Sequence, residues 1–169
     1  MTNTSLTPTK NTEAMRSTVE SLASAKGPTI FQICPQLPKK GRTDTPLAAT
    51  ELMSVVIKTY AADGENELHA HPNEDHVFIV LQGEAGFHGP RGETHTVGRH
   101  GGILLPRGTL YWFKAIGEIP LVMLRVGAVT DLAADPLARI DEHGNPFDGY
   151  SQANKQVDVQ MHEPPLFFE

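Results

Sequence analysis

From Thr29 to Val129 short segments rich in β-branched and aromatic residues alternate with Gly and Pro turns. That pattern belongs to a sandwich or barrel. It predicts strands near residues 29 to 33, 51 to 61, 67 to 71, 76 to 82, 84 to 88, 93 to 97, 102 to 105, 110 to 115 and 119 to 127, an all-β domain over 29 to 129. Residues 1 to 28 read as a polar N-terminal arm. Within it, Asn11 or Thr12 caps a short helix through about Ala25, with Ala14, Met15, Val19 and Leu22 as a weak apolar stripe. Gly27-Pro28 ends it. After Val129 the chain is turn-rich, through Asp135-Pro136, His143-Gly144-Asn145-Pro146 and Asp148-Gly149, and closes on Pro164-Pro165-Leu166-Phe167-Phe168. Residues 130 to 169 are therefore an irregular C-terminal extension whose apolar end needs a surface, on the barrel or on a partner subunit.

Composition narrows the classes of partner. At 169 residues the chain suits one domain with a sizeable core, and 14 Lys+Arg against 20 Asp+Glu give a net charge of -6. The basic residues form no stripe, so nucleic acid is not an expected partner. No apolar run approaches a membrane span, and the first thirty residues lack the apolar core of a signal peptide. The expected location is cytoplasmic. The single Cys34 cannot form an internal disulfide, which suits a reducing compartment, and nothing near it in sequence would activate its thiol.

Candidate chemistry concentrates in His69-Ala70-His71-Pro72-Asn73-Glu74-Asp75-His76, which runs into Val77-Phe78-Ile79-Val80-Leu81 and stops at Gly83. Successive side chains of a strand point to opposite faces, so His69 and His71 share one face. A turn at Pro72 and Asn73 then brings His76 back beside them, a facial triad of nitrogens for one metal ion. Glu74 or Asp75 replaces His76 as the ligand if the turn is one residue shorter. Otherwise a carboxylate there accepts from a ligating imidazole. His88, His95, His100, His143 and His162 lack such mutual spacing and read as surface residues. Tyr111, Phe113 and Ala115 share a strand face, which makes Phe113 part of an apolar substrate wall. Arg125 shares a face with Leu121 and Met123. It either reaches solvent at the strand end or pairs with a substrate carboxylate. Lys58 and Tyr60 share a face on the strand before the motif.

These residues carry a resemblance. The segment from about Thr50 to Ala128 resembles a cupin, a small jelly-roll β-barrel, whose first motif runs Gly, a spacer, His-x-His, Glu, a spacer, Gly. Here Gly64, His69, His71, His76 and Gly83 follow it, with the first spacer one residue short. The second motif matches at Gly101-Gly102 and Pro106-Arg107-Gly108 and ends on Tyr111. In cupins with the usual ligand set, two histidines, a glutamate and a last histidine hold the metal. His76 stands at the glutamate position and Tyr111 at the last-histidine position. Three neutral imidazoles cancel none of a divalent ion's charge. Tyr111 is then a phenolate ligand, a neutral catalytic hydrogen-bonding group, or simply an aromatic filling the barrel. The resemblance implies one divalent transition metal ion per chain, with iron favoured over zinc, nickel or manganese, and a dioxygenase-like enzyme acting on a small oxygen-rich molecule. A metal-dependent isomerase, lyase or cyclase, or a non-catalytic ligand-binding cupin, are the alternatives. Exposed sheet edges imply a homodimer.

Overall fold

The alternation read from the sequence emerges as antiparallel sheets laid face to face. The computed structural model describes residues 7–169. In chain order the elements are α1 (Thr12–Ala23), β1 (Pro38–Lys40), β2 (Arg42–Ala49), β3 (Met53–Tyr60), β4 (Glu74–Gln82), β5 (Glu84–His88), β6 (Thr94–Gly98), β7 (Gly102–Leu105), β8 (Trp112–Ile116), β9 (Leu121–Val129), a 3-10 turn at Gln152–Asn154 and β10 (Gln160–Met161). One sheet has the order β2-β3-β9-β4-β7, the second β6-β5-β8, and β1 pairs with β10. This is the all-β, jelly-roll arrangement expected of the chain.

Between the two larger sheets lies an aromatic core of Tyr60, Phe78, Phe87, Tyr111 and Phe113, closed below by Val80, Ala85, Ala115, Leu121 and Met123. A second apolar cluster, Leu37, Leu47, Ile57 and Val122, covers the outer face of the five-stranded sheet. Burial on both faces explains why Leu121, Val122 and Met123 form a continuous apolar run rather than an alternating one. The cover is the chain's own. Leu37 donates its amide to the Leu166 carbonyl at 2.8 Å and Phe168 to that of Pro35 at 3.0 Å, so the C-terminal apolar run packs on the barrel. Gly83, with φ 73°, turns β4 into β5. A Cβ there would meet the Pro120 carbonyl oxygen at 2.9 Å.

Three expectations are corrected. Residues 29 to 33 form no strand. Ile30 is 87% exposed, and this stretch finds no neighbouring strand to pair with. Residues 67 to 71 are not a full strand but two isolated bridges, His69 to Tyr111 and Ala70 to Ile140. Conversely, β1 and β2 were hidden from the pattern. The chamber-facing positions of β2 carry the charged Arg42 and Asp44, its outer face carries Thr43 and Thr45 opposite Thr59 and Ile57, and Pro46 sits at a register shift on this edge strand. The Thr43 and Thr59 hydroxyls satisfy each other at 2.6 Å. The helix stands where it was read. Asn11 caps it by accepting from the Ala14 amide at 2.7 Å, and Met15 is its buried residue. The part of the arm over residues 1 to 6 lies outside the described residues.

Candidate metal centre

Strand alternation builds one wall of the site. On β4 the inward positions are Glu74, His76, Phe78 and Val80. The first two are polar and lie at the mouth, the next two apolar and deep. His69 and His71 come from the preceding segment, where His69 exchanges backbone hydrogen bonds with Tyr111 at 3.0 and 2.9 Å and the His71 carbonyl accepts from Gly108 at 2.8 Å. The turn at Pro72 and Asn73 returns the chain, and the His71 and His76 rings lie 4.2 Å apart. The His69 ring is 5.1 Å from that of His71 and 4.6 Å from that of Tyr111.

All three histidines are buried, and each keeps one ring nitrogen without a protein partner: His69 Nε2, His71 Nδ1 and His76 Nδ1. The other ring nitrogens of His69 and His76 are held by the protein. The Glu67 carbonyl can only accept, so His69 Nδ1 donates to it at 2.7 Å and Nε2 carries the lone pair. His76 Nε2 lies 2.9 Å from the Glu74 carboxylate and 3.0 Å from Arg125 Nη1, so this pair holds its Nε2 edge while the buried Nδ1 has no partner. Buried lone pairs without donors are what a metal ion satisfies, and imidazole with carboxylate suits divalent transition metals. The donor set therefore fits a metal. The tightest group is His71, Glu74 and His76, with one ligand atom from each all within 4.8 Å of one another; His69 stands outside it, facing Tyr111.

Glu74 lies two residues before His76, and a period of two keeps both on one face. Its Oε2 accepts from Arg125 Nη1 at 3.2 Å, while Arg125 Nη2 donates to Ser54 Oγ at 3.0 Å. Thus Arg125 turns into the barrel and its charge meets an internal carboxylate. Gly127 faces His76 across the ladder, and a Cβ there would sit 2.9 Å from Glu74 Oε1, so only glycine leaves room for the pair. Asp75 points outward and accepts from the Arg107 amide at 2.7 Å, which removes it from the site.

Burial sets the protonation states. It drives His69 and His71 well below the usual imidazole range and His76 to about 4, even though Glu74 pulls His76 upward. Burial alone would raise Glu74, but its hydrogen bond from His76 and the Arg125 charge win and hold it below the usual range. Burial pushes the Tyr111 phenol up, so it is a neutral hydroxyl. At neutral pH the three rings are free bases, as metal ligands must be.

Above the histidines opens a cavity of about 520 Å³. Phe78, Tyr111 and Phe113 form its apolar floor, and Lys58 and Tyr60 its far wall. Lys58 Nζ pairs with Asp44 at 2.6 Å, and burial lowers the amine to about 8. The roof comes from outside the barrel. Helix α1 contributes Thr12 and Met15, and the C-terminal extension contributes Arg139, Ile140, Phe147, Gly149 and Asn154. Arg42 holds this roof by donating to the carbonyls of Glu65, Gly149 and Asn154. Sequence reasoning placed Phe113, Tyr111, Lys58 and Tyr60 correctly by face. It missed Arg42, Arg139 and Asn154, which sit in segments without periodicity and enter the site only through the chain's return.

The cupin-domain family model matches residues 56–127. No curated protein sequence matches the chain. Among solved structures, the cupin domain of Cnp3 from Schizosaccharomyces pombe is similar, at 20% identity and a TM-score of 0.51, over 54% of this chain and 63% of that one. The match thus spans under two thirds of that chain. KdgF from Halomonas sp. is similar at 16% identity and a TM-score of 0.49, over 54% of this chain and 82% of that one. An uncharacterised double-stranded β-helix protein from Klebsiella pneumoniae is similar at 18% identity and a TM-score of 0.49, over 68% and 89%. Residues 56–127 thus match the cupin-domain family, and the fold around them is similar to that of the Cnp3 cupin domain.

Proposed function

We propose that this protein is a mononuclear metal-dependent enzyme, a dioxygenase-like oxidoreductase acting on a small oxygen-rich organic molecule. The observation that carries the reading is the set of three buried histidines, each with a buried, partnerless ring nitrogen, lining one cavity. His71 and His76 are the core ligands, with His69 as the third nitrogen and Glu74 as the adjacent carboxylate. A bound divalent ion, iron in our reading, supplies Lewis acidity and open positions for oxygen donors. The chain's own contribution is orientation and exclusion of water. Glu74 and Arg125 hold the His76 ring at Nε2, the Glu67 carbonyl fixes the tautomer of His69, and Phe113 gives the substrate an apolar wall.

Two groups favour a second reading, a metal-assisted isomerase or lyase. Tyr111 is a neutral hydroxyl beside the histidines, placed to donate a hydrogen bond, and Lys58, lowered to about 8, faces the same chamber and suits proton transfer near neutral pH. A homodimer is also proposed, from the exposed Ile79 and Leu104 on the outer face of the five-stranded sheet.

Elemental analysis of protein purified without chelator tests the metal. One ion per chain is expected, falling below one tenth in a His71→Ala/His76→Ala double variant. Equal metal in both proteins overturns the site. Oxygen consumption by the iron-loaded protein over diketones, phenols and hydroxy acids then separates the two readings, since uptake supports the oxidoreductase and its absence supports the isomerase or lyase.

A further inference from the structure

Four cationic side chains line the chamber, and their partners differ. Lys58 is bonded to Asp44, Arg125 to Glu74, and Arg42 to three backbone carbonyls. Arg139 makes no side-chain hydrogen bond or ion pair with any described residue. Its charge is felt by Asp44 and Tyr111, yet no carboxylate is bound to it, and burial works against the charge. The position is nevertheless built. Ile140 exchanges backbone hydrogen bonds with Ala70 at 2.9 and 3.0 Å, and the Arg139 carbonyl accepts from Phe147 at 2.8 Å, so the backbone on both sides is pinned over the histidines. Gly149 makes the space. A Cβ at Gly149 would lie 2.3 Å from Arg139 Nη1.

A half-buried guanidinium held without a counter-charge in a cleft costs free energy that a bound anion recovers. Its planar fork matches a carboxylate through two parallel hydrogen bonds. We propose that Arg139 binds the carboxylate of a small organic acid, so the substrate enters as an anion and the C-terminal extension, not the barrel, selects it. The opposite floor of Phe78, Tyr111 and Phe113 calls for an apolar body on that acid. The volume, about 520 Å³, is that of an ordinary small-molecule site. This assignment rests on the reading of the chamber as the substrate site, and it places the acid recognition on Arg139 rather than on Arg125.

Calorimetric titration of the full chain with butyrate and benzoate, and with their uncharged isosteres butyramide and benzamide, tests it. The acids are expected to bind at least tenfold more tightly than the amides. Arg139→Gln should lose at least tenfold for the acids and little for the amides, and Arg139→Lys should fall between. Gly149→Ala, which keeps the guanidinium but pushes it aside, should also lose at least tenfold, and it decides the matter if Arg139→Gln does not fold. Removing an unpaired, half-buried charge should leave the melting temperature of Arg139→Gln unchanged or raised, which a structural role for Arg139 would not allow. Absence of acid binding, equal affinity for acids and amides, or full acid affinity in either non-lysine variant overturns the proposal. Metal content is measured alongside. Normal metal with Arg139-independent acid binding sinks this inference alone, whereas absent metal with Arg139-dependent acid binding sinks the metalloenzyme reading alone.

Discussion

The two halves of the inner face of β4 obey the same alternation and pose opposite problems. At the deep half, Phe78 and Val80 sit in an aromatic core where every contact is non-directional. At the mouth, Glu74 and His76 are as deeply buried, but each polar atom needs a named partner. The deep half is thus stable through its own packing. The mouth holds together only by pairing, and it leaves unpaired the few atoms that a ligand is expected to satisfy. Chemistry is concentrated where burial is least self-sufficient.

Cutting each half separately breaks the comparison. Phe78→Ala, in the deep half, should cost about 4 kcal/mol in urea unfolding by removing contacts to Phe87, Tyr111 and Phe113. A cost below about 1 kcal/mol would mean that the core collapses around the gap. Glu74→Ala, at the mouth, should cost about 3 kcal/mol because Arg125 is left buried without its carboxylate. Here repair is the sharper readout. Adding Arg125→Met should recover most of that loss, since both charges are then gone. No analogous second substitution should repair Phe78→Ala.

Acid provides the smallest effect and separates the halves without mutation. The three mouth histidines are neutral in the folded protein and titrate near 6.5 when unfolded, so the unfolded chain binds more protons below that pH. Stability from them is full above about 6.5 and drains as pH falls toward about 4, the value to which His76 is lowered. Melting curves of metal-free protein between those limits should show a progressive loss, reduced in a His71→Ala/His76→Ala variant. A flat profile would mean that the rings charge freely in the fold.

Much of this was legible in the chain. Strands β5 and β7 have the ends that the pattern gave them, and the remaining barrel strands from β3 onward differ by a residue or two. The triad spacing brought His71 against His76 as strand geometry requires. Illegible parts share a cause. β2 turns the charged Arg42 and Asp44 toward the chamber and threonines that bond across the ladder outward, so no apolar period betrays it. The strand expected at 29 to 33 has the right residue types and no neighbouring strand to bond with. Glu74 was visible as a carboxylate beside the motif, but its role depends on Arg125, 51 residues away.

By itself, then, the sequence determined the period-two faces, the cluster of imidazoles at His69, His71 and His76, and the shared face of Tyr111 and Phe113, because strand alternation is a local property of the backbone. Only the tertiary structure decided that Arg125 is neutralised by Glu74 and that a segment without periodicity roofs the chamber with Arg139. Charge pairing and enclosure are made between residues far apart in the chain, and no local pattern encodes which distant segment comes to rest against which.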